Sequence, residues 1–519
     1  MIVKAKIWRS LYQDSVILMR IASEVRALPG LAEAAVFMGT PANLGILAQA
    51  GLDNATTATA GPNDLLFSVR AENEATADQA LAKAHELLTE RRESSDADEE
   101  EVRPRTLETA LRRLPGASLV LISVPGAYAR FEAEKALKRN LHVMIFSDNV
   151  AQEDEIALKT MARERGLLCM GPDCGTAYLN GVGLAFYNVI KKGRIGCVAA
   201  SGTGLQAVVA RLDFLGEGIS HGIGVGGRDL SPAVDGLMTF AAIKALAADS
   251  TTAAIIVISK PVGPALAERL DTALRRTGKP AVVCCVGAET RAEDGVVWVA
   301  TLDEAADAAQ ALLEGRAWRS QAFARPGQVA ERLTAARAAG SLQGRGVHAY
   351  YTGGTLAHEA LAILEPLLGP ARNNLGHDQG EGPHLVLDLG DDAYTVGRPH
   401  PMIEPAVRID ALRAETARAL PSVVIADLVL GKGAHADPAS PLAEEIQRLK
   451  TAAKDRGDNL VAVVAVIGSA GDPQGLAEQT AILEGAGAEV FASNAEAVRF
   501  AALLARPALA ETLLGDPAR

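Results

Sequence analysis

No stretch of this 519-residue sequence is apolar over the roughly 20 residues that a membrane-spanning helix needs, and the opening MIVKAKIWRS lacks the apolar core of a secretion signal. Both absences point to a soluble chain. Cysteine is scarce: Cys169, Cys174, Cys197, Cys284 and Cys285 show neither zinc-site spacing nor the paired pattern of a secreted disulfide framework. Most lie in or beside apolar, strand-like runs, so core packing in a reducing cytoplasm is expected, with no metal site. Cys284 and Cys285 are neighbours, and on a strand they would face opposite sides. A basic stripe is also missing. The net charge of −12 is spread over acidic helices and linkers, which argues against nucleic acid or an anionic membrane surface as a partner.

What is present is apolar residue in quantity, 49% of a chain too long for one core, so several domains are expected. Residues 1–92 interleave short strand-like and helix-like stretches, which reads as a small ferredoxin-like α+β domain. ESSDADEEEVRPR (93–105) has a block of acid and no apolar period, the mark of a solvated linker. From Leu107 onward apolar strands alternate with helices, the pattern of a parallel sheet covered on both faces. The fold class is therefore α/β, several doubly wound Rossmann- or flavodoxin-like parallel-sheet domains behind a small ferredoxin-like one. Boundaries are expected at 106–192, 193–318 and 345–519, with a Gly/Arg/Pro-bearing linker at 319–344.

Two strand-to-helix turns are alike. VAASGTGLQAVVARL runs from a strand through Ser201, Gly202, Thr203 and Gly204 into a helix, and VHAYYTGGTLAHEAL does the same through Gly353, Gly354 and Thr355. One such turn is needed for packing as often as for a ligand. Two, each at the first turn of a doubly wound domain, favour a phosphate site built from N–H groups and hydroxyls. Ser201 does not sit in the G-x-S-x-G elbow of a nucleophile, because Ala199 stands at its first glycine. In GVGGRDLS, Arg228 suits a bidentate grip on a carboxylate or phosphate and Asp229 is a substrate-binding candidate, or else the two form a surface ion pair capping the next helix. GDDAYTVGRPHPMI concentrates Asp391, Asp392, Arg398 and His400; Pro399 and Pro401 fix the backbone around His400, which suits acid–base work or simply a rigid turn. Asp391 and Asp392 are candidates for substrate binding, with loop capping as the plainer role. Lys432 and His435 follow a buried strand, and His358 is expected on a helix surface.

GPDCGTAYLNG, GRIGCVAASGTGLQAVV, GEGISHGIGVGGRDL and AAIIVISKPV resemble the α subunit of succinyl-CoA synthetase, while VHAYYTGGTLAHEAL and the last 60 or so residues resemble the carboxyl-terminal domain of its β subunit. The fused order, with DLGDDAYTVGRPHPMI, is similar to the FdrA family over nearly the whole chain. The ligase resemblance implies a CoA-binding-like domain at 106–192, an α-type ligase domain at 193–318 and a β-type one at 345–519. It also implies two helix starts converging on a phosphohistidine that relays phosphate. In the ligases that histidine follows the strand equivalent to PAVVCCVG; here AETRAEDG follows, and no histidine lies between His221 and His348. There is likewise no room for a nucleotide-grasp domain between residues 315 and 345, and no Gly-rich CoA loop before Leu119.

Those departures, with the FdrA resemblance, imply a subunit of an oxamate carbamoyltransferase-like complex of allantoin breakdown. It would move carbamoyl between an oxalurate-like ureido acid and phosphate, with carbamoyl phosphate as the anion, no firm cofactor, CoA doubtful, and other subunits as partners in an oligomer. On this reading His400, Arg398 and Arg228 are catalytic. The alternatives are a nucleoside-diphosphate-forming acyl-CoA synthetase, or a non-catalytic scaffold or sensor.

Overall fold

A computed structural model describes residues 1–11, 15–26, 28–96, 104–338, 340, 342, 346–376, 381–395, 399–418 and 420–515. The chain divides into two compact units, residues 1–105 with 392–399, and residues 106–391 with 400–519.

In the first unit β1 (Ile2–Trp8), α1 (Ser15–Arg26), β2 (Leu31–Met38), α2 (Pro41–Gln49), β3 (Leu65–Ala71) and α3 (Glu74–Asp96) follow in order. The strands lie β1-β3-β2, with antiparallel pairing on both sides of β3. Strand periodicity explains the packing: Leu65, Phe67 and Val69 face a core shared with α1 and α3, while Leu66 faces one shared with α2. Three strands are present among the described residues. Helix α3 continues to Asp96, into the stretch expected to be a linker, and residues 97–103 lie outside the described residues.

The second unit opens with α4 (Leu107–Arg113), β4 (Leu119–Ile122), α5 (Gly126–Leu137), β5 (His142–Ile145), α6 (Gln152–Glu164) and β6 (Cys169–Met170), a parallel three-stranded sheet. The hairpin β7 (Thr176–Leu179) and β8 (Val182–Ala185) joins an eight-stranded sheet. That sheet continues through β9 (Lys192–Ala199), α7 (Gly202–Phe214), β10 (Ile219–Gly224), α8 (Leu237–Ala248), β11 (Ala254–Ser259), α9 (Pro264–Arg275), β12 (Ala281–Cys285), β13 (Arg291–Glu293), β14 (Val296–Val299) and α10 (Leu302–Leu313). Its parallel centre is β14-β12-β11-β9-β10. Helix α11 (Pro326–Ala338) leads to a wholly parallel six-stranded sheet. Its elements are β15 (Val347–Tyr351), α12 (Gly354–Leu368), β16 (Ala371–Asn373), β17 (His384–Asp388), α14 (Ala406–Arg418), β18 (Val423–Val429), α15 (Ala439–Asp455), β19 (Val461–Ile467), α16 (Leu476–Gly485), β20 (Ala488–Phe491) and α17 (Asn494–Ala505), while the short α13 (Asp392–Thr395), next after β17 in the chain, belongs to the first unit. The strand order is β16-β17-β15-β18-β19-β20.

Both large sheets are doubly wound. From β9 the chain steps to β10 on one side, and from β11 to β12 on the other; from β15 it steps toward β17, and from β18 to β19. The carboxyl ends of β9 with β11, and of β15 with β18, are thus the topological switch points where such sheets open a crevice. One apolar core runs from the inner face of the eight-stranded sheet through α7, α10, α12 and α17 to the inner face of the six-stranded one. Cys284 packs in that core and Cys285 in the core on the other face, as strand alternation requires. Burial pushes the thiols of Cys169, Cys174 and Cys197 up to about 12, so they are packing groups. Among the described residues no helix is long and apolar enough to cross a membrane.

Candidate functional site

Helices α7 and α12 begin against each other. Ser201, the N-cap of α7, accepts a 2.8 Å hydrogen bond from Gly204 N, and its Oγ shares a 2.6 Å hydrogen bond with Thr355 Oγ1 in the first turn of α12. A methyl group at Gly353 would come within 3.0 Å of the Thr203 side chain, so glycine is what lets the two turns meet. The first intrahelical bonds are Leu205 N to Ser201 O and Ala357 N to Gly353 O, so the N–H groups of Gly202, Thr203, Gly354 and Thr355 precede the ladder. Two expected donors are already used: Gly204 N by Ser201, and Gly353 N by Asp427. Asp427, fully buried, also accepts from Thr352 N at 2.8 Å and Thr352 Oγ1 at 3.0 Å, and Arg408 lies 3.3 Å away. This clamp fixes where α12 starts.

Three side chains that sequence reasoning missed surround the junction. Asp388 ends β17 and puts Oδ2 2.5 Å from the place a methyl group on Gly354 would occupy. Burial raises its carboxyl to about 6, and Asp391 adds to this. Lys260, just past β11, is exposed and electrostatically linked to both Asp388 and His358. His358 is partly buried, and its Nδ1 lies 2.8 Å from Gly354 O. It was expected on a bare surface; folding back over the first turn of α12 encloses it instead. Lys260 was findable at a switch point of a doubly wound sheet, and Asp388 as the first acid of DLGDD, whereas nothing local to HEAL marks His358.

The two histidines are fixed in opposite tautomers. His358 Nδ1 faces a carbonyl, which only accepts, so Nδ1 carries the proton and Nε2 the lone pair. His400 Nδ1 accepts from Met402 N at 3.2 Å, so its proton is on Nε2. A methyl group at Gly390 would lie 2.7 Å from that Nε2, 2.9 Å from Thr352 O and 3.2 Å from Asp388 Oδ1. Burial pulls His400 down to about 4, leaving a neutral N–H donor at pH 7.

The other sequence candidates fall elsewhere. Arg228 donates to Glu155 Oε2 at 2.9 Å and to Val150 O at 2.7 Å, tying its loop to α6. Asp229 is fully buried and accepts from Lys159, Met238 N, Thr239 N and Thr239 Oγ1, which makes it a packing anchor. Asp391 is exposed, Asp392 opens α13, which groups with the first unit, and Arg398 lies outside the described residues. Lys432 is exposed and pairs through its backbone with Tyr187, while His435 N bonds Met402 O.

The model of the AllF heavy metal-associated domain matches residues 1–104, and the CoA-ligase model matches residues 350–504. The protein YahF of Escherichia coli (strain K12) is 37% identical over 504 residues, covering 95% of this chain and 97% of that one. The chain belongs to the FdrA-like family of YahF. The mitochondrial succinate–CoA ligase [ADP-forming] subunit alpha-2 of Trichomonas vaginalis is 29% identical over 188 residues, 35% of this chain and 59% of that subunit. A solved structure of the Ca. Korarchaeum cryptofilum dinucleotide forming acetyl-coenzyme A synthetase 1 with phosphate and ADP aligns over 76% of this chain and 84% of that one, at 15% identity and a TM-score of 0.27.

These findings correct the functional expectation. The CoA-ligase match and the succinate–CoA ligase relatives overturn carbamoyl transfer and the carbamoyltransferase class, and favour the acyl-CoA synthetase alternative. Nothing found supports carbamoyl phosphate or allantoin breakdown. Residues 1–104, which the heavy metal-associated model matches, contain no cysteine to bind a metal as thiolate, and their one histidine, His85, stacks on Trp8 at 6.0 Å.

Proposed function

We propose that this chain is a ligase-type enzyme of the acyl-CoA synthetase class, and that the α7–α12 junction holds the phosphate of an acyl phosphate. The observation that carries the reading is the meeting of the two helix N-termini through Ser201 and Thr355. N–H groups that precede both helical ladders and two positive helix ends bear on one spot, which stabilises an anion without a net positive charge. Lys260 supplies the cation, and the Nε2–H of His400 a further donor. When the thiolate of CoA attacks the acyl carbon, phosphate leaves with the electron pair, and preorganised donors stabilise that charge as it develops. Partner subunits in a hetero-oligomer would supply the nucleotide-grasp function for which residues 315–345 leave no room.

The test uses the complex purified from its own host, given acetyl phosphate and CoA, and separately acetyl-CoA, phosphate and ADP. Thioester should form in the first case and free CoA in the second, and Thr203→Val/Thr355→Val should lose both along with thermal protection by phosphate. Absence of thioester chemistry in both directions from a folded, phosphate-protected protein would overturn the reading.

A further inference from the structure

We infer that Asp388 is the general acid of this junction, its Oδ2 delivering a proton to the oxygen that joins the acyl carbon to phosphorus. The inference rests on the ligase-type reading and deepens it. When an acyl phosphate is cleaved at carbon, phosphate leaves as a trianion unless a proton reaches the bridging oxygen as the carbon–oxygen bond breaks, so the chemistry calls for an acid beside the anion. Asp388 is fixed in such a place. Asn374, just past β16, clasps its backbone, accepting from Asp388 N and donating to Asp388 O, both at 2.8 Å. Gly390 N donates to Oδ1 at 2.9 Å, and among the described residues Oδ2 has no hydrogen-bond partner. That free oxygen is the one turned to α12: a methyl group on Gly354 would lie 2.5 Å from Oδ2 but 3.8 Å from Oδ1. Gly354 is the first residue of α12, so Oδ2 borders the turn whose N–H groups precede the ladder.

The groups around this carboxyl suit it to hold a proton. Burial and the carboxylates of Asp391 and Asp427 favour the acid form, while Gly390 N and Lys260 oppose it, and the balance lies at about 6. His400 and His358 are both pulled down by burial, so neither adds a positive charge at pH 7. Phosphate bound beside Oδ2 brings further negative charge, which raises the carboxyl again. In the step, the sulfur–carbon bond forms as the thiolate of CoA attacks, and the carbon–oxygen bond breaks with its electron pair passing to oxygen. That oxygen takes the proton of Oδ2, and hydrogen phosphate departs. The thiol proton has gone to water, from which Asp388 is protonated again. In the reverse direction the Asp388 carboxylate takes the proton of hydrogen phosphate as its oxygen attacks the thioester.

The experiment is the pH profile of kcat for thioester formation from acetyl phosphate and saturating CoA, with the full-length complex, beside thermal protection by phosphate. We expect a bell-shaped profile for the wild type, its rising limb set by the thiol and its alkaline limb by Asp388. Asp388→Asn keeps the acceptor for Gly390 N and an N–H donor toward phosphate, yet has no proton to give. It should keep phosphate protection, lose about 10²–10⁴-fold in kcat and lose the alkaline limb. A merely structural role for Asp388 would lower protection and leave the limb in place, which overturns the inference. A wild-type profile without an alkaline limb also overturns it, and needs no variant that folds. So does unchanged kcat in Asp388→Asn, in which case the ligase reading stands without it; a wild-type complex that makes no thioester overturns that reading and this inference together.

Discussion

Glu359 shows how much a single buried carboxyl can impose on this fold. It is 1% exposed, accepts from Leu302 N at the start of α10 at 2.7 Å and from Asn494 Nδ2 at 2.8 Å, and has Asp303 nearby. Burial and Asp303 push it up to about 7, far above the ~4.3 of an exposed glutamate. The folded state therefore binds this proton more tightly than the unfolded chain, so the stability it adds is complete below pH ~4.3 and is lost as pH rises through 7. Each pKa unit is worth about 1.4 kcal/mol. Glu359→Gln has no proton to lose, so its melting temperature should gain on the wild type as pH rises from about 4 to 7 and hold that gain above it. Parallel curves in that window would refute the assignment. Glu359 was invisible in the sequence for the same reason as His358: the partners that define each role come from other elements or from the helix's own backbone. The small residues of the two turns were legible as strand-to-helix junctions, and it is their smallness at Gly353 that lets the two helix starts meet.

Helices and strands were the most legible part of the chain. Runs such as AAIIVIS and VVIADLV leave no polar face, so they fit only the centre of a sheet covered on both sides, and both became central parallel strands. Their order could not be read locally, and it is the order that brings Lys260 to a switch point and Asp388 beside Gly354. The amino end of α12 offers a test of that arrangement. A methyl group at Gly354 would lie 2.5 Å from Asp388 Oδ2 and must displace it, straining the 2.9 Å bond that Oδ1 accepts from Gly390 N. Alanine is itself favoured over glycine in a helix by up to about 1 kcal/mol, so Gly354→Ala should cost little stability. Its effect should fall on the ligand: thermal protection by phosphate should drop sharply while the melting temperature without phosphate changes little. Undiminished protection would place the phosphate elsewhere.

The two large sheets share an apolar core, but apolar contact alone does not choose one relative position, because a core tolerates many packings of the right volume. A buried polar tie is more selective. Asn188, fully buried, donates from Nδ2 to Leu430 O at 3.0 Å and to Asp472 Oδ2 at 2.8 Å; Val189 N donates to Asp472 Oδ1 at 2.7 Å, and Ser469 N to Oδ2 at 2.8 Å. These bonds join the segment before β9 to the loops after β18 and β19, across a sequence separation of 284 residues at Asn188 and Asp472. No local pattern reports a pairing at that range. Asp472→Ala leaves Ser469 N buried without an acceptor and frees Val189 N, whose residue is exposed, so with one fully unsatisfied group the loss should be about 1–3 kcal/mol. Asn188→Ala removes one of the same bonds, so the two changes share a partner and their costs cannot add. A double-mutant cycle followed by chemical denaturation should give a coupling of about 0.5–3 kcal/mol. The double variant should also lose phosphate protection, since the cradle is assembled from α7 of one sheet and α12 of the other. Strict additivity with phosphate protection intact would mean that the shared core alone holds the two helix ends together.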